Sequence, residues 1–140
     1  MNDSTADNLG DRMKKDATVG LIGIVDDDES VRDSISSLLR SAGYKTLAFE
    51  SAEAFLKSDG IERADSLVLD VKMPGMSGIE LQSQLSSMKC RIPIIFVTAH
   101  ADDAVRARAI TQGALAFLSK PFSDESLLGA IESALNTANQ

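Results

Sequence analysis

The chain has 140 residues, of which 44% are hydrophobic and 25% are charged, so we expect one domain that buries a core without disulfide bonds. Twenty-one acidic side chains against 14 basic ones give a net charge of -7, and such an acidic surface disfavours direct binding to nucleic acid. A lone cysteine, Cys90, the lack of an apolar run of membrane-spanning length and the lack of a signal-peptide core predict a cytoplasmic protein.

The chain divides into a polar start and an alternating body. Residues 1–18 are polar and aperiodic and predict a flexible tail, residues 19–137 predict one domain, and residues 138–140 predict a short C-terminal tail. Short apolar runs predict five strands, at residues 19–25, 44–49, 67–69, 92–97 and 115–118.

Five segments with apolar residues at helical spacing lie between and after these runs. They are marked by Val31, Ile35, Leu38, Leu39 and Ala42, by Ala52, Phe55 and Leu56, by Ile79, Leu81 and Leu85, by Val105, Ala109 and Ile110, and by Leu127, Leu128, Ile131 and Leu135. Gly43 is a suitable stop for the first helix, and Ser51 and Ser123 are suitable N-caps. Ser77 and Glu80 have capping-box spacing, and Pro93 is expected at the start of the fourth strand.

This alternation of strands and helices predicts an α/β fold. The strands are continuous apolar runs, as expected for a parallel sheet whose two faces are covered by helices through right-handed crossovers. In such folds ligands bind at the carboxyl ends of the strands. The residues that follow each strand are therefore the first candidates for a functional site.

Polar side chains follow four of the five predicted strands. They are Asp26, Asp27 and Asp28 after the first strand, Asp70 after the third, Thr98 after the fourth and Lys120 after the fifth. Crowded carboxylates repel one another unless a cation neutralises them, and a few carboxylates, waters and a phosphoryl oxygen suit Mg2+. A carboxylate can also accept a phosphoryl group, while a lysine and a hydroxyl can stabilise its oxygens.

Each of these residues also has an ordinary explanation. The acidic run could be a helix start, Asp70 a turn residue, Thr98 a strand-end cap and Lys120 a solvated surface residue. These explanations would all have to coincide on one edge of one sheet, which favours a shared site.

Four short segments carry a resemblance to a known family. They are Val-Asp-Asp-Asp at 25–28, Asp-Val-Lys-Met-Pro-Gly-Met-Ser-Gly at 70–78, Val-Thr-Ala at 97–99 and Lys-Pro-Phe at 120–122. In order and spacing the sequence resembles the receiver domain of bacterial two-component response regulators from residue 19 to about residue 135. The segment Ser-Ala-Glu-Ala-Phe-Leu at 51–56 resembles the FixJ-type branch. The resemblance implies a flavodoxin-like, doubly wound, five-stranded parallel sheet of order 2-1-3-4-5 with five helices.

The same resemblance implies roles for the residues at the strand ends. Asp70 would be the phosphoacceptor, and Mg2+ would be held by Asp26, Asp27, Asp70 and the backbone carbonyl of Lys72. Lys120 would pair with Asp70 at rest and with a phosphoryl oxygen after phosphorylation. A cis peptide bond before Pro121 would aim the Lys120 amine at Asp70.

A switch and its tuning are implied in the same way. Thr98 would bind a second phosphoryl oxygen, and Phe117 would turn inward as Thr98 moves, although Phe117 could equally be a core residue. Lys72 and His100 match positions that tune loss of the phosphoryl group, and each could instead be an exposed loop residue. Asp28 is expected to be a helix N-cap.

The resemblance implies a signalling domain that catalyses its own phosphorylation and dephosphorylation. Its partners would be a histidine kinase or phosphotransfer protein, a second copy after phosphorylation, and an output domain or downstream protein. The expected output surface is the fourth predicted helix, the fifth strand and the fifth predicted helix.

Three other functions would each account for part of these residues. A phosphatase of the haloacid-dehalogenase type would use the Asp-x-Asp pattern at 26–28, but the acidic pair it needs after a later strand is missing. A flavin carrier would need a phosphate loop rich in Ser, Thr and Gly. A receiver that binds partners without phosphorylation would not need the complete set of acids, hydroxyl and lysine.

Overall fold

The computed structural model describes residues 20–99 and 102–138. Their five parallel strands form one sheet of order β2-β1-β3-β4-β5, which confirms the predicted flavodoxin-like topology. The strands are β1 (Leu21–Val25), β2 (Lys45–Phe49), β3 (Ser66–Asp70), β4 (Ile94–Thr98) and β5 (Ala116–Ser119). The helices in the described ranges are α1 (Glu29–Ser41), α2 (Ala52–Leu56), α3 (Gly60–Arg63), α4 (Gly78–Ser87), α5 (Asp103–Thr111) and α6 (Asp124–Ala138).

The register of the sheet brings the strand ends to one edge. Val25, the last residue of β1, pairs with Phe49 of β2 and with Leu69 of β3. Farther across the sheet, Asp70 of β3 pairs with Val97 of β4. The next residue of β4, Thr98, pairs with Ser119 of β5. Residues that follow β1, β3, β4 and β5 are therefore neighbours in space.

Two hydrophobic clusters cover the two faces of the sheet. One contains Phe55, Leu81 and Phe96, and the other contains Leu39, Ile95, Leu127 and Ile131. Every residue of β3 and β4 is buried. This burial on both faces explains why the strands are continuous apolar runs.

Local capping fixes where the helices begin. The Asp28 carboxylate accepts the Ser30 backbone N–H at 2.9 Å, and Ser51 and Ser123 accept N–H groups at the starts of α2 and α6. Ser77 and Glu80 form the predicted capping box at α4. These contacts satisfy backbone groups that a helix start leaves without partners, and they confirm the predicted caps.

Within the described residues, the structure differs from the sequence prediction in one additional helix, in the bounds of all five strands and in the buried face of α5. Strand β1 begins at Leu21 and β2 at Lys45, and β3 spans Ser66–Asp70 rather than 67–69. Helix α3 was not predicted, so the described ranges contain six helices where five were expected. The four residues of α3 are too few to show a helical period. Strand β4 begins one residue after Pro93. Ile110 was assigned to the buried face of α5 but is 47% exposed, and Ala109 is the buried residue of that helix. Strand β5 begins at Ala116 rather than at residue 115.

Two other predictions concern the chain ends and membrane-spanning segments. The predicted tail at 1–18 and residues 139–140 of the predicted C-terminal tail lie outside the described ranges, whereas Ala138, the first residue of that predicted tail, is the last residue of α6. None of the helices within those ranges is both long enough and apolar enough to cross a membrane.

Candidate functional site

Three carboxylates meet at the carboxyl edge of the sheet. Asp26 follows β1, Asp70 ends β3, and both are almost completely buried, with relative exposures of 1% and 6%. Asp27 is exposed, and one oxygen from each of the three carboxylates lies within 4.8 Å of the others. The predicted acidic cluster is therefore present.

Backbone and side-chain contacts hold Asp26 in place. Its Oδ1 accepts the backbone N–H of Asp28 at 2.9 Å, and its backbone carbonyl accepts a hydrogen bond from the Arg32 guanidinium at 2.8 Å. Its own N–H donates to the carbonyl of Phe49 at the end of β2. Contacts from the end of β2 and from the start of α1 therefore hold Asp26 in place.

Lys120 brings a positive charge to this cluster. Its Nζ lies 3.0 Å from Oδ2 of Asp26 and 3.8 Å from Oδ2 of Asp70. The resemblance implied a pair with Asp70, whereas the shorter contact is with Asp26. The peptide bond between Lys120 and Pro121 is cis, as predicted, and the Lys120 backbone N–H donates to the Thr98 carbonyl at 2.7 Å.

The environment of Asp70 favours its protonated form. Burial, followed by the negative charge of Asp26, raises the pKa of the Asp70 carboxyl to about 6. The Lys120 ammonium and the backbone N–H of Lys72 act in the opposite direction and only partly offset burial. The ionised form of Asp70 is therefore destabilised in this environment, and a cation bound nearby would stabilise it.

Thr98 and Phe117 lie on the adjacent strands β4 and β5. Thr98 ends β4 and is 1% exposed. Phe117 lies in β5, is 5% exposed and packs against Phe96 with ring centroids 5.9 Å apart. In this arrangement Phe117 is a core residue, and its movement as a switch stays a prediction.

The two predicted tuning residues have different outcomes. Lys72 is exposed in the loop after β3, and its backbone N–H interacts with the Asp70 carboxylate. His100 lies outside the described residues.

Two supporting contacts were not predicted from the sequence. The Glu53 carboxylate of α2 accepts the backbone N–H of Met76 at 2.9 Å, and this hydrogen bond lowers the pKa of Glu53. It braces the loop that connects β3 to α4. Gly78 packs so closely that a Cβ there would clash with the backbone carbonyl oxygen of Asp70. The signals were Glu53 within the segment 51–56 and the glycine that closes the segment 70–78.

The donor set fits a hard divalent cation. All three acidic side chains offer oxygen ligands, and two of them are buried against each other. Mg2+ prefers carboxylate oxygens and retains several waters, which the exposed position of Asp27 permits. Softer metals favour histidine and thiolate ligands, and among the described residues the cluster consists of carboxylates alone.

The fold and the strand-end cluster define a flavodoxin-like α/β domain with a candidate metal site. The protein-family model of the response regulator receiver domain matches residues 22–132 of the sequence. The chain therefore belongs to the response regulator receiver domain family.

Named relatives agree with this assignment. The chain is 47% identical over 120 residues to the response regulator protein TmoT of Ectopseudomonas mendocina, covering 86% of this chain and 54% of that protein. It is 40% identical over 121 residues to the transcriptional regulatory protein FixJ of Bradyrhizobium diazoefficiens, covering 86% of this chain and 59% of FixJ. The chain thus spans about half the length of the curated relatives it matches.

Solved structures give the same result. The crystal structure of FixJ-N superimposes with a TM-score of 0.77 at 40% identity, covering 84% of this chain and 94% of that one. The response regulator StyR superimposes with a TM-score of 0.79 at 48% identity, covering 85% of this chain and 60% of that one.

Proposed function

We propose that Asp70 accepts a phosphoryl group from a phosphohistidine on a histidine kinase or phosphotransfer protein, and that the loaded domain changes a partner-binding surface. The observation that carries this proposal is the placement of a buried Asp70 carboxylate within 3.8 Å of Lys120 and beside Asp26 and Asp27. A carboxylate so placed is a nucleophile with a cation site and an ammonium group next to it.

The proposed transfer needs little covalent chemistry from the protein. A carboxylate oxygen of Asp70 attacks phosphorus, an O–P bond forms, the P–N bond of the donor breaks, and the imidazole nitrogen keeps the electron pair. Positioning and charge neutralisation dominate such transfers. Lys120 supplies positive charge to one phosphoryl oxygen, and the Thr98 hydroxyl binds another.

The acids would hold the metal. Asp26, Asp27, Asp70 and the backbone carbonyl of Lys72 would bind Mg2+, which when bound supplies the positive charge that offsets the phosphoryl oxygens. The domain thereby catalyses its own phosphorylation, and water later removes the phosphoryl group, with Lys72 and His100 at positions that tune this loss.

The signal would leave through the surface formed by α5, β5 and α6. Only Ala109 is buried in α5, so this helix has few anchoring contacts within the described residues. Phosphorylation would bias two arrangements of the helix and of Phe117. In the arrangement that phosphorylation favours, this surface would bind a second copy, an output domain or a downstream protein.

We expect this to occur in the cytoplasm, without direct contact with nucleic acid by this domain.

Intact mass spectrometry after incubation with a small phosphodonor tests the proposal. We expect one added phosphoryl group per chain, stable in acid and labile in base, that requires Mg2+ and is absent from Asp70→Asn. Wild-type labelling of Asp70→Asn would exclude this acceptor. Repeated turnover of a generic phosphoester would instead favour the phosphatase alternative.

A further inference from the structure

A charged side chain of α5 rests on the aromatic residue of β5. The guanidinium carbon of Arg106 lies 5.5 Å from the centroid of the Phe117 ring, within the range of a cation–π contact. Nη2 of the same guanidinium lies 3.5 Å from the backbone carbonyl oxygen of Phe117, a long hydrogen bond. One side chain thus contacts both the ring and the backbone of Phe117.

The position of β5 makes this contact informative. In the sheet that the described residues form, strand β5 pairs only with β4 and lies at one edge. An edge strand has backbone groups without a strand partner. The Arg106 guanidinium donates to one carbonyl of this edge strand. It thereby ties the middle of α5 to β5 at the residue whose ring packs on Phe96.

Helix α5 has few other anchors in the described residues. Ala109 is its buried residue, and Val105 is partly buried. The Gln82 amide of α4 donates to the Ala109 carbonyl at 2.9 Å, and Ser83 of α4 bonds to Gln112 just beyond α5. These ties hold the C-terminal half of α5, whereas Arg106 connects an earlier turn to Phe117.

We infer that Arg106 is a positioning residue that holds Phe117 and α5 in the arrangement seen here, and so sets how readily the domain switches. This inference rests on the proposed function, because it assigns a regulator to the same switch. Loss of the guanidinium removes the contact from this arrangement and leaves the alternative arrangement unaffected, so the equilibrium moves toward the alternative. An exposed cation–π contact corresponds to about a two- to fivefold change in that ratio.

The test uses the full chain without a phosphodonor and follows two NMR reporters. One is the ring of labelled Phe117, and the other is the backbone amide of Thr98, which lies on the next strand. The variants are Arg106→Ala, Arg106→Lys and the matched control Arg108→Ala. Arg108 is an exposed arginine of the same helix, and neither a hydrogen bond nor a cation–π contact joins it to Phe117 in the described part of the chain.

We expect Arg106→Ala to shift both reporters, with the Thr98 amide moving in the direction that phosphorylation produces in the wild type. Arg106→Lys should cause a smaller shift in the same direction, because it keeps the charge but loses the planar fork. An unshifted Thr98 amide in Arg106→Ala, or an equal shift in Arg108→Ala, would overturn the inference.

A mass measurement separates this inference from the proposed function. Arg106 lies outside the acidic cluster, so Arg106→Ala should accept one phosphoryl group as the wild type does. If neither protein accepts a phosphoryl group, the proposed function fails. The presence or absence of a Thr98 amide shift in Arg106→Ala, measured without a phosphodonor and against Arg108→Ala, still decides whether Arg106 holds Phe117 and α5 in place.

Discussion

The Nζ atom of Lys120 donates a 3.0 Å hydrogen bond to Oδ2 of Asp26, although the two residues are 94 positions apart in the chain. This bond joins the end of β1 to the segment after β5 and engages the lysine whose ammonium group lies beside Asp26 and Asp70. The Lys120 ammonium lies farther from Asp70, at 3.8 Å from its Oδ2. Burial is the largest influence on the pKa of Asp70, which is raised.

The first prediction is a pH-dependent stability difference between the wild type and Asp70→Asn. The pKa of Asp70 rises from 3.8 to about 6 on folding, so the folded state binds more protons than the unfolded chain between these values. The contribution of Asp70 to stability is therefore complete below about pH 4 and is lost as the pH rises through about 6. Asp70→Asn has no carboxylate to ionise, so its melting temperature should exceed that of the wild type by a few degrees above pH 6.

Thermal unfolding in a chelator, from pH 4 to pH 8, measures this difference. The advantage of Asp70→Asn should shrink toward zero at the acid end of the range. A difference that is constant across the range would contradict burial as the cause of the raised pKa. Adding Mg2+ at pH 7.5 should stabilise the wild type more than Asp70→Asn, because a ligand that binds only the folded state raises its stability.

The second prediction concerns the exposed acid of the cluster. Asp27→Ala should weaken Mg2+ binding by at least about tenfold, since even outer-shell changes cost this much at metal sites. The metal-free protein should remain folded, because removal of one crowded carboxylate relieves repulsion. The matched control is Asp28→Asn, which removes a neighbouring charge but keeps the capping oxygen at α1. Isothermal titration with Mg2+ checks both variants, and equal affinities for Asp27→Ala and the wild type would remove Asp27 from the ligand set.

The third prediction compares two glycines in helices. Gly78→Ala should destabilise the fold by about 1–3 kcal/mol, because its Cβ would meet the Asp70 carbonyl and the Phe96 ring. It should also slow phosphorylation, since Asp70 would have to move. Gly129→Ala has open space around its Cβ and should stabilise α6 by about 0.5–1 kcal/mol. Urea unfolding measures both, and the same sign for the two variants would refute the steric explanation.

The fourth prediction concerns the buried amide between α4 and α5. Gln82 is 3% exposed, its Nε2 donates to the Ala109 carbonyl, and its Oε1 has no partner among the described residues. Gln82→Met removes a hydrogen bond and an unsatisfied oxygen together, so global stability should change by less than about 1 kcal/mol. Hydrogen exchange of the α5 amides should nevertheless become faster. Gln84→Met, at an exposed site of α4, is the control, and equal α5 exchange in the two variants would show that Gln82 is no anchor.

The fifth prediction separates phosphorylation from its transmission. Thr98→Ala should still accept a phosphoryl group, because Asp70 and the acids are unchanged, but the amide shifts from 102 to 118 should respond less. Thr98→Ser keeps the hydroxyl and should respond as the wild type does. Full wild-type shifts in Thr98→Ala would exclude the hydroxyl as the link.

The sequence predicted the parts of this fold that depend on local or periodic signals. Strands buried on both faces must be apolar throughout, so β3 and β4 were visible as apolar runs. Capping by Asp28, Ser51 and Ser77 involves residues two or three positions apart, and it was predicted for the same reason. Helix α3 was missed because four residues do not complete a helical pattern.

The functional site also combines features that the sequence predicts with features that depend on tertiary packing. The sequence by itself determined which acids, hydroxyl and lysine stand at the strand ends, because strand order and length bring the ends of parallel strands to one edge. Only the tertiary structure decided that Lys120 lies nearer to Asp26 than to Asp70, that Gly78 touches the Asp70 backbone and that Arg106 covers Phe117. These distances and the raised pKa of Asp70 depend on how separate elements pack and exclude water, and no spacing along the chain encodes that packing.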